Sequence, residues 1–200
     1  MDPFQKLESA ITVLDEAGKD LVHRALELAK LAHANQTRDE GSPYIEHPVR
    51  VAVSLATEAG STDPVELSAA LCHDVLEDSQ IAAGELSRRT SPRVAEIVAT
   101  LTKDPIASGL TGEARHAAKV ARDNRYYHLI AAADVTTRRV KCADRLDNLR
   151  SLPGSPEEGK KTRYASETRA HLLPIARTTD PFYAKEIDRL SKELAKEGNS

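Results

Sequence analysis

The stretch from Leu71 to Asp78 most constrains the fold of this chain, because one histidine and three carboxylates lie within an otherwise apolar run. On a helix, side chains four positions apart share a face, so His73 is expected beside Glu77. The same spacing puts Asp74 beside Asp78. Charged groups that converge in apolar surroundings are costly unless a cation compensates them. A divalent metal ion would do so, and the fold would then gather its ligands around this stretch.

Most acidic clusters have a simpler explanation, as an acidic helix start or as the solvated face of a helix. The residues that precede this cluster, Val65 to Leu71, already predict a helix, so the cluster falls late in that helix. Carboxylates late in a helix oppose the helix macrodipole. The simpler explanation therefore fits poorly, and the metal-binding interpretation is favoured.

Helical periodicity runs along nearly the whole chain, and its interruptions carry residues typical of helix starts. A capping side chain followed by proline, the preferred N-cap and N1 residues, occurs at Asp63, Ser91, Ser155 and Asp180. No run alternates with period two over a length that predicts a strand. We expect an all-α fold of eight to ten helices, kinked at Pro174. The predicted helices span residues 5–16 (ending near Gly18), 19–36, 48–59, 64 to the acidic cluster, 83–89, 92–102, 113–132, 134–150, 156–178 and 181–197.

Length and charge exclude several classes of protein. The 200 residues suit one compact domain, and no linker, internal repeat or low-complexity segment divides residues 1–200. The net charge of −3 gives no field that would attract DNA or an anionic membrane. No signal peptide is visible, and the apolar runs are far too short to cross a bilayer. We therefore expect no nucleic-acid or membrane partner, and the sequence leaves homo-oligomers open.

The two cysteines, Cys72 and Cys142, lie within apolar helical runs. Such cysteines behave as small buried hydrophobic residues, and two of them in this setting do not predict a disulfide framework. Disulfides are rare in reducing compartments. We therefore expect a cytoplasmic protein.

Two further stretches carry polar residues of the same kinds as the acidic cluster. His47 follows a proline-containing loop and lies at the start of a predicted helix, where a lone histidine is more often a surface or capping residue. Farther along the chain, Asp144 and Asn148 share one helix face, with Lys141 a turn earlier. Taken alone, this stretch would be an exposed helix with acid–base pairs.

Taken together and in order, these stretches resemble the HD metal-dependent phosphohydrolases, and most closely the hydrolase domain of the Rel/Spo stringent-response enzymes. The resemblance covers about residues 25–175. Its motifs are Ala32-His33-x-x-Gln36-x-Arg38, Pro43-Tyr44-Ile45-x-His47-Pro48, Leu71-x-His73-Asp74-Val75-x-Glu77-Asp78, Thr100-Leu101-Thr102-Lys103 and Lys141-x-Ala143-Asp144-Arg145-Leu146-x-Asn148-Leu149-Arg150.

The resemblance implies a helical HD domain that removes the 3′-pyrophosphate from the alarmones ppGpp and pppGpp with a manganese ion. The larger members of the family carry further domains after the hydrolase, for which a chain ending at Ser200 has no room. We therefore expect a free-standing small alarmone hydrolase, a class that has animal members. The residues that match the metal ligands are His47, His73, Asp74 and Asp144. Two imidazoles and two carboxylates suit an octahedral ion such as Mn²⁺.

The resemblance also implies roles for residues that surround the metal. Glu77 and Asp78 match the acidic pair that positions and deprotonates the attacking water, with charge balance for the metal as the alternative role. Arg38 matches the arginine that stacks on the base. The other matches to the nucleotide site are Asn148 and Ser151 near sugar and base, Tyr164 packed nearby, and Lys141 and Arg150 facing the phosphates, with Arg145, Lys160, Lys161 and Arg163 as further positive charges. For any single Lys or Arg of this set, a solvated surface charge is an equal alternative.

One segment departs from the family pattern. The residues after Arg38 are Asp39-Glu40-Gly41, where the family has Lys-x-Ser-Gly or Lys-Ser-Gly. Acidic groups can accept hydrogen bonds from the amino groups of a purine base. Our hypothesis is that base recognition is altered, so that (p)ppApp is hydrolysed alongside or instead of (p)ppGpp. In the alternative, Asp39 is a loop residue that faces water.

Two other functions compete with alarmone hydrolysis. An HD phosphohydrolase acting on another nucleotide would share the metal ligands, but the Glu77-Asp78 pair and the segments around Arg38 and Asn148 belong to the alarmone subgroup. A catalytically silent nucleotide-binding module is disfavoured because every ligand and the acidic pair are present. The lack of a basic recognition face argues against a DNA-binding protein.

Overall fold

The computed structural model describes residues 1–38, 41–152 and 159–197 of the chain. Two features of the sequence interpretation lie outside these residues. They are the departure at Asp39 and Glu40 and the helix start predicted at Ser155.

Twelve α-helical segments make up the regular structure of these residues, apart from single 3₁₀ and π-helical turns. They are α1 Pro3–Ala10, α2 Glu16–Ala32, α3 Glu46–Thr57, α4 Pro64–Cys72, α5 Val75–Asp78, α6 Ala83–Arg89, α7 Pro92–Leu101, α8 Gly112–Ala132, α9 Val135–Ser151, α10 Lys160–Glu167, α11 Leu173–Arg177 and α12 Pro181–Glu197. Extended pairing within the described ranges is limited to one isolated bridge between Thr37 and Pro43. Counting α4–α5 and α10–α11 as two interrupted helices gives ten helices, and the all-α prediction is confirmed.

Several helices begin where the cap residues predict. The carboxylate of Asp63 accepts a hydrogen bond from the backbone N–H of Val65 at 2.8 Å, and Pro64 is the first residue of α4. A side-chain oxygen at the N-cap satisfies one of the backbone donors that a helix start leaves unpaired. Ser91 and Asp180 start α7 and α12 in the same way, and Asp134 caps α9, which begins at Val135 and not at a proline.

The predicted helix end near Gly18 is wrong. Helix α1 ends at Ala10, a 3₁₀ turn spans Ile11–Val13, and α2 begins at Glu16. Gly18 therefore lies in the first turn of α2, where its N–H donates to the Asp15 carboxylate at 2.8 Å. A Cβ at this position would lie 3.3 Å from the side chain of Pro64, which is tighter than ordinary packing. This glycine allows α2 and α4 to approach closely and does not end a helix.

The interruption expected at Pro174 is present as a π-helical turn. Residues Thr168–Leu172 form this turn between α10 and α11. Proline has no N–H to donate to the preceding turn, and its ring clashes with the carbonyl four residues earlier. A widened turn just before Pro174 accommodates both effects, so the helix continues instead of ending.

Helices α4 and α9 lie at the centre of the fold. Every residue of α4 from Glu66 to Cys72 is buried, and the helix packs against α2, α3, α7 and α9. Helix α9 packs in turn against α3, α7, α8, α11 and α12. These two helices carry Cys72 and Cys142 as buried free thiols, and burial raises the pKa of both to about 12. The expectation of buried, unpaired cysteines is confirmed.

None of the helices in the described part of the chain combines the length and apolarity that a bilayer crossing requires. The longest of them, α8, has 21 residues but buries only Tyr126, Tyr127 and Ile130.

A buried arginine ties α9 to its neighbours. Arg145 is 3% exposed, and its guanidinium donates at 3.0 Å to both Thr168 Oγ1 and Glu167 Oε1. It also donates to the hydroxyl of Tyr127, and its Cζ lies 4.1 Å from the ring centroid of Tyr164. A buried cation with this many acceptors is well compensated. In this structure Arg145 therefore joins α8, α9 and α10.

Replacing Asp63 by alanine tests the cap of α4. We expect Asp63→Ala to lower the free energy of unfolding by about 1 kcal/mol, because the N–H of Val65 loses its acceptor. Urea denaturation followed by circular dichroism measures this loss. The control is Asp20→Ala, which removes an exposed carboxylate within α2 that pairs with Arg24. An equal loss in both variants would contradict the capping role.

The Arg145–Glu167 pair predicts a component of acid stability. Burial raises the pKa of Glu167, but Arg145 outweighs it and lowers that pKa from 4.5 to about 2. A depressed carboxyl pKa contributes stability that is complete above pH 4.5 and is lost as the pH falls through 2. We expect Glu167→Gln to lower the free energy of unfolding at pH 7. The difference from the wild type should shrink over that acidic range.

Urea denaturation at a series of pH values measures this difference. Glu193→Gln on α12, whose partner Arg189 is also on the surface, is the matched control. A difference between wild type and Glu167→Gln that stays constant down to pH 2 would contradict the assignment.

Candidate metal centre

The acidic cluster lies at a break between two helices and not late in one helix. Helix α4 ends at Cys72, and α5 begins at Val75 with Asp74 as its N-cap residue. The backbone carbonyl of Asp74 accepts from the N–H groups of Glu77 and Asp78 at 3.1 and 2.9 Å. The expectation of a single continuous helix is therefore wrong. The acidic pair lies in the single turn of a four-residue helix, so the macrodipole argument that applies to the end of a long helix does not apply here.

Four side chains from three distant stretches of the sequence converge at this break. His47 Nε2 of α3 lies 3.3 Å from Asp144 Oδ1 of α9 and 3.9 Å from Asp74 Oδ2. His73 Nε2 lies 3.1 Å from Asp74 Oδ2 and 3.6 Å from Asp144 Oδ1. The structure thus brings together all four residues that the sequence predicts as metal ligands.

Hydrogen bonds on the far side of each imidazole decide which nitrogen faces the cluster. His73 Nδ1 lies 2.7 Å from the carbonyl oxygen of Ala70, and His47 Nδ1 lies 2.7 Å from Asp147 Oδ2. Both of these partners are acceptors, so Nδ1 carries the proton in each neutral ring and Nε2 keeps its lone pair. The buried Nε2 of His73 has no hydrogen-bond partner of good geometry.

The donor set fits a divalent cation. Ligand atoms of His47, His73 and Asp144 all lie within 4.8 Å of one another, and Asp74 adds a second carboxylate. A mixed nitrogen and oxygen set of this kind accepts several divalent ions of the first transition row. A metal ion would also give the unpartnered Nε2 of His73 its missing partner.

The charges of the cluster shift the pKa values of its own side chains. Burial lowers the pKa of His73, but Asp74 and Asp144 outweigh it and raise that pKa well above its ordinary value. Burial raises the pKa of Asp144, yet Lys141, whose Nζ lies 2.7 Å from Asp144 Oδ2, helps to hold that pKa well below the usual range. The carboxylates of the cluster thus face the His73 imidazole and the Lys141 ammonium. Because metal ligands must be deprotonated, a bound ion would hold His73 in its neutral form.

The acidic pair borders the cluster on its exposed side. Glu77 Oε2 accepts from the backbone N–H of Lys103 at 3.3 Å, and Asp78 Oδ2 lies 3.4 Å from the hydroxyl of Tyr44. Burial and the charge of Asp74 raise the pKa of both carboxyl groups. A raised pKa makes a carboxylate a stronger base near neutral pH.

Sequence reasoning missed Tyr44. Its hydroxyl donates to Asp74 Oδ2 at 2.6 Å, and burial raises its pKa, so it remains a protonated donor. Its ring lies between those of His33 and His47, with centroids 4.8 and 5.9 Å away. The available signal was its place in the same motif as His47, three positions earlier.

Three of the residues predicted to bind the nucleotide adjoin the cluster. Arg38 Nη2 donates to Asn148 Oδ1 at 2.7 Å, and Asn148 Nδ2 donates to Asp144 Oδ1 at 2.5 Å. Lys141 contacts the same carboxylate through its other oxygen. A line of polar side chains therefore leads from Asp144 to Arg38.

The other three predicted binding residues have different surroundings. Arg150 forms an ion pair with Glu58 of α3 at 2.8 Å, and Ser151 Oγ donates to the backbone carbonyl of Asp147 at 3.0 Å. Both line a cavity of about 600 Å³ between α1, α3 and α9. Tyr164 packs on Arg145. Arg150 has different surroundings from Asn148 because, on a helix, a residue two positions later points about 200° away. A nucleotide contact by any of these three stays a prediction.

Known proteins match most of this chain. The HD domain profile matches residues 25–179. A protein of Aquifex aeolicus named guanosine-3′,5′-bis(diphosphate) 3′-pyrophosphohydrolase is 37% identical over 155 residues, which are 78% of this chain and 21% of that protein. The bifunctional (p)ppGpp synthase/hydrolase SpoT of Escherichia coli is 34% identical over 193 residues, which are 95% of this chain and 26% of SpoT. The chain thus spans 21% and 26% of the lengths of these two relatives.

A solved structure shares the fold. It is that of a metazoan orthologue of SpoT, described as hydrolysing ppGpp, and it superposes with a TM-score of 0.74 at 24% identity. The superposition covers 86% of this chain and 94% of that protein. With the histidines and aspartates of the cluster inside the matched region, the helical architecture and the profile agree, and the chain belongs to the HD domain family.

Proposed function

We propose that this chain is a metal-dependent hydrolase that removes the 3′-pyrophosphate from guanosine 3′,5′-bis(diphosphate) alarmones. The products would be pyrophosphate with GDP from ppGpp, or pyrophosphate with GTP from pppGpp. The observation that carries the proposal is the convergence of two imidazole nitrogens and two carboxylates beside an exposed acidic pair. The names of the relatives from Aquifex aeolicus and Escherichia coli support the choice of substrate.

Four side chains would hold the metal ion, namely His47, His73, Asp74 and Asp144. Mn²⁺ suits this set because two imidazoles and two carboxylates can leave positions of an octahedral ion open. When bound, the ion would polarise the phosphoryl group and make a nearby water more acidic. Tyr44 would hold Asp74 in place through the hydrogen bond to Oδ2.

The acidic pair would handle the proton of the attacking water. Glu77 and Asp78 are exposed beside the buried cluster, and the raised pKa of each favours accepting a proton. The water oxygen forms a bond to the phosphorus next to the ribose, and the bond from that phosphorus to the 3′-oxygen breaks. The 3′-oxygen takes up a proton to become a hydroxyl group, and pyrophosphate leaves.

The polar line from Asp144 to Arg38 would bind the nucleotide. The planar guanidinium of Arg38 can stack on a base, and Asn148 would face the sugar. Lys141 would offer its charge to the 3′-phosphates. We also assign Ser151 and Tyr164 to substrate binding. Arg150 points away from Asn148, and it would bind a phosphate only by exchanging its partner Glu58 for that phosphate.

Several features support the remaining parts of the proposal. Helices α1 and α12, at the two ends of the chain, pack on α3 and α9, which supports one domain over residues 1–200. The net charge of −3 supports a small nucleotide, not a nucleic acid, as partner. The buried free thiols of Cys72 and Cys142 support a reducing, cytoplasmic location.

Product analysis by anion-exchange chromatography tests the reaction. Purified protein with Mn²⁺ would receive ppGpp and ppApp in separate reactions. We expect GDP or ADP with pyrophosphate, and no product from Asp74→Ala, which removes a carboxylate of the cluster. An Asp39→Lys variant that keeps the wild-type preference between the bases would contradict the altered-base hypothesis. Failure of the metal-loaded wild type to hydrolyse either nucleotide would contradict the alarmone assignment and favour another nucleotide.

Glu77→Gln tests proton transfer separately from metal binding. Loss of a general base reduces turnover by about 10²–10⁴-fold. The Mn²⁺ affinity should be unchanged, because Glu77 lies outside the four clustered side chains. Single-turnover kinetics and calorimetric titration with Mn²⁺ measure the two quantities, and Glu85→Gln on α6 is the control. Loss of Mn²⁺ binding in Glu77→Gln would show that Glu77 balances the metal charge instead.

A further inference from the structure

Two side chains, Asp147 and Arg50, form hydrogen bonds on the side of His47 that faces away from the cluster. This histidine is 1% exposed, and its Nδ1 lies 2.7 Å from Asp147 Oδ2. Arg50, one turn after His47 on α3, contacts both oxygens of Asp147. Its Nε donates to Oδ1 at 2.8 Å and its Nη2 to Oδ2 at 3.0 Å. Arg50, Asp147 and His47 therefore form one continuous chain of hydrogen bonds that ends at the cluster.

This chain leaves His47 little freedom. A ring that donates Nδ1–H to a carboxylate is fixed in orientation and presents an unprotonated Nε2 on its other side. The bidentate hydrogen bonds from Arg50 fix the orientation of the Asp147 carboxylate as well. His73 differs, because its Nδ1 faces a neutral carbonyl, that of Ala70. The two imidazoles of the cluster thus have acceptors of different charge, and a carboxylate makes an imidazole the stronger ligand.

We propose that Asp147, held by Arg50, is a positioning residue that sets the affinity of the cluster for a divalent ion. It acts through His47, by fixing the ring and its tautomer, and does not itself contact the ion. The inference rests on the metal-binding part of the proposed function and is independent of which nucleotide is hydrolysed.

Asp147→Asn is the main test. Three donor hydrogens, one from His47 and two from Arg50, face the two oxygens of Asp147. An asparagine has only one oxygen, so its NH₂ group must oppose a donor in either orientation. We expect the Mn²⁺ dissociation constant to rise about 10–100-fold. Calorimetric titration of the metal-free protein, without nucleotide, measures this change.

Two further variants separate positioning from simple loss of stability. Arg50→Lys keeps the positive charge but cannot form the bidentate hydrogen bonds. We therefore expect its Mn²⁺ dissociation constant to rise less than that of Asp147→Asn. Asp188→Asn on α12 removes a carboxylate that pairs with Arg169 at 2.9 Å, far along the chain from the cluster, and should leave Mn²⁺ binding unchanged. Turnover of Asp147→Asn should also return toward the wild-type value at saturating Mn²⁺.

Nitrogen-15 NMR of the His47 ring reports the tautomer directly. At pH 8 and without metal, we expect the proton of the wild-type ring on Nδ1 and a partial shift to Nε2 in Asp147→Asn. Where Asp147→Asn does not fold, the same spectra and titration of Arg50→Lys carry the test.

The outcomes are distinct. An unchanged Mn²⁺ affinity and tautomer in a destabilised Asp147→Asn variant would give Asp147 a structural role only and overturn the inference. A wild-type protein that binds no divalent ion overturns both the inference and the metal-dependent function. Wild-type protein that binds Mn²⁺ but hydrolyses neither alarmone overturns only the proposed substrate.

Discussion

The compensation of buried charge is the constraint on which this structure depends. Two carboxylates and two imidazoles meet where α3, α9 and the junction of α4 and α5 approach one another, with His47, His73 and Asp144 almost fully buried. Removing such groups from water is costly unless their charges are matched and their hydrogen bonds are made. Lys141, Tyr44 and Asp147 each supply part of the match. The central helices can therefore be read as a scaffold that brings these compensating groups to one point.

Much of the helical framework could be predicted because local chemistry specifies it. Cap residues such as Asp63, Ser91 and Asp180 have a physical effect at short range, and the helices that follow them begin where expected. Gly18 could not be interpreted correctly from local chemistry. Its lack of a side chain serves the approach of α2 to Pro64, which lies 46 positions later in the chain. A helix-ending glycine and a close-packing glycine have the same sequence signal.

The candidate metal centre also combines features that the sequence predicts with features that depend on tertiary contacts. The four residues expected to share a metal ion do meet. They could be predicted because their types and their order along the chain resemble the metal ligands of a known family. The break at Asp74, the hydroxyl of Tyr44 and the position of Asp147 depend on tertiary contacts that no local pattern encodes. The surroundings of Arg150 were missed for a geometric reason, since the direction of a side chain around a packed helix is known only when its neighbours are known.

Helix α9 contributes side chains to three different parts of the structure. One face reaches the cluster through Asp144, another enters the network of Arg145, and a third supports His47 and lines the cavity through Asp147. Each inserted or deleted residue in a helix turns everything beyond it by about 100°. A single insertion between Asp144 and Asp147 would thus separate the cluster from its support, although every side chain would still be present. Over this stretch, a substitution leaves the directions of the other side chains unchanged, whereas a change in the number of residues does not.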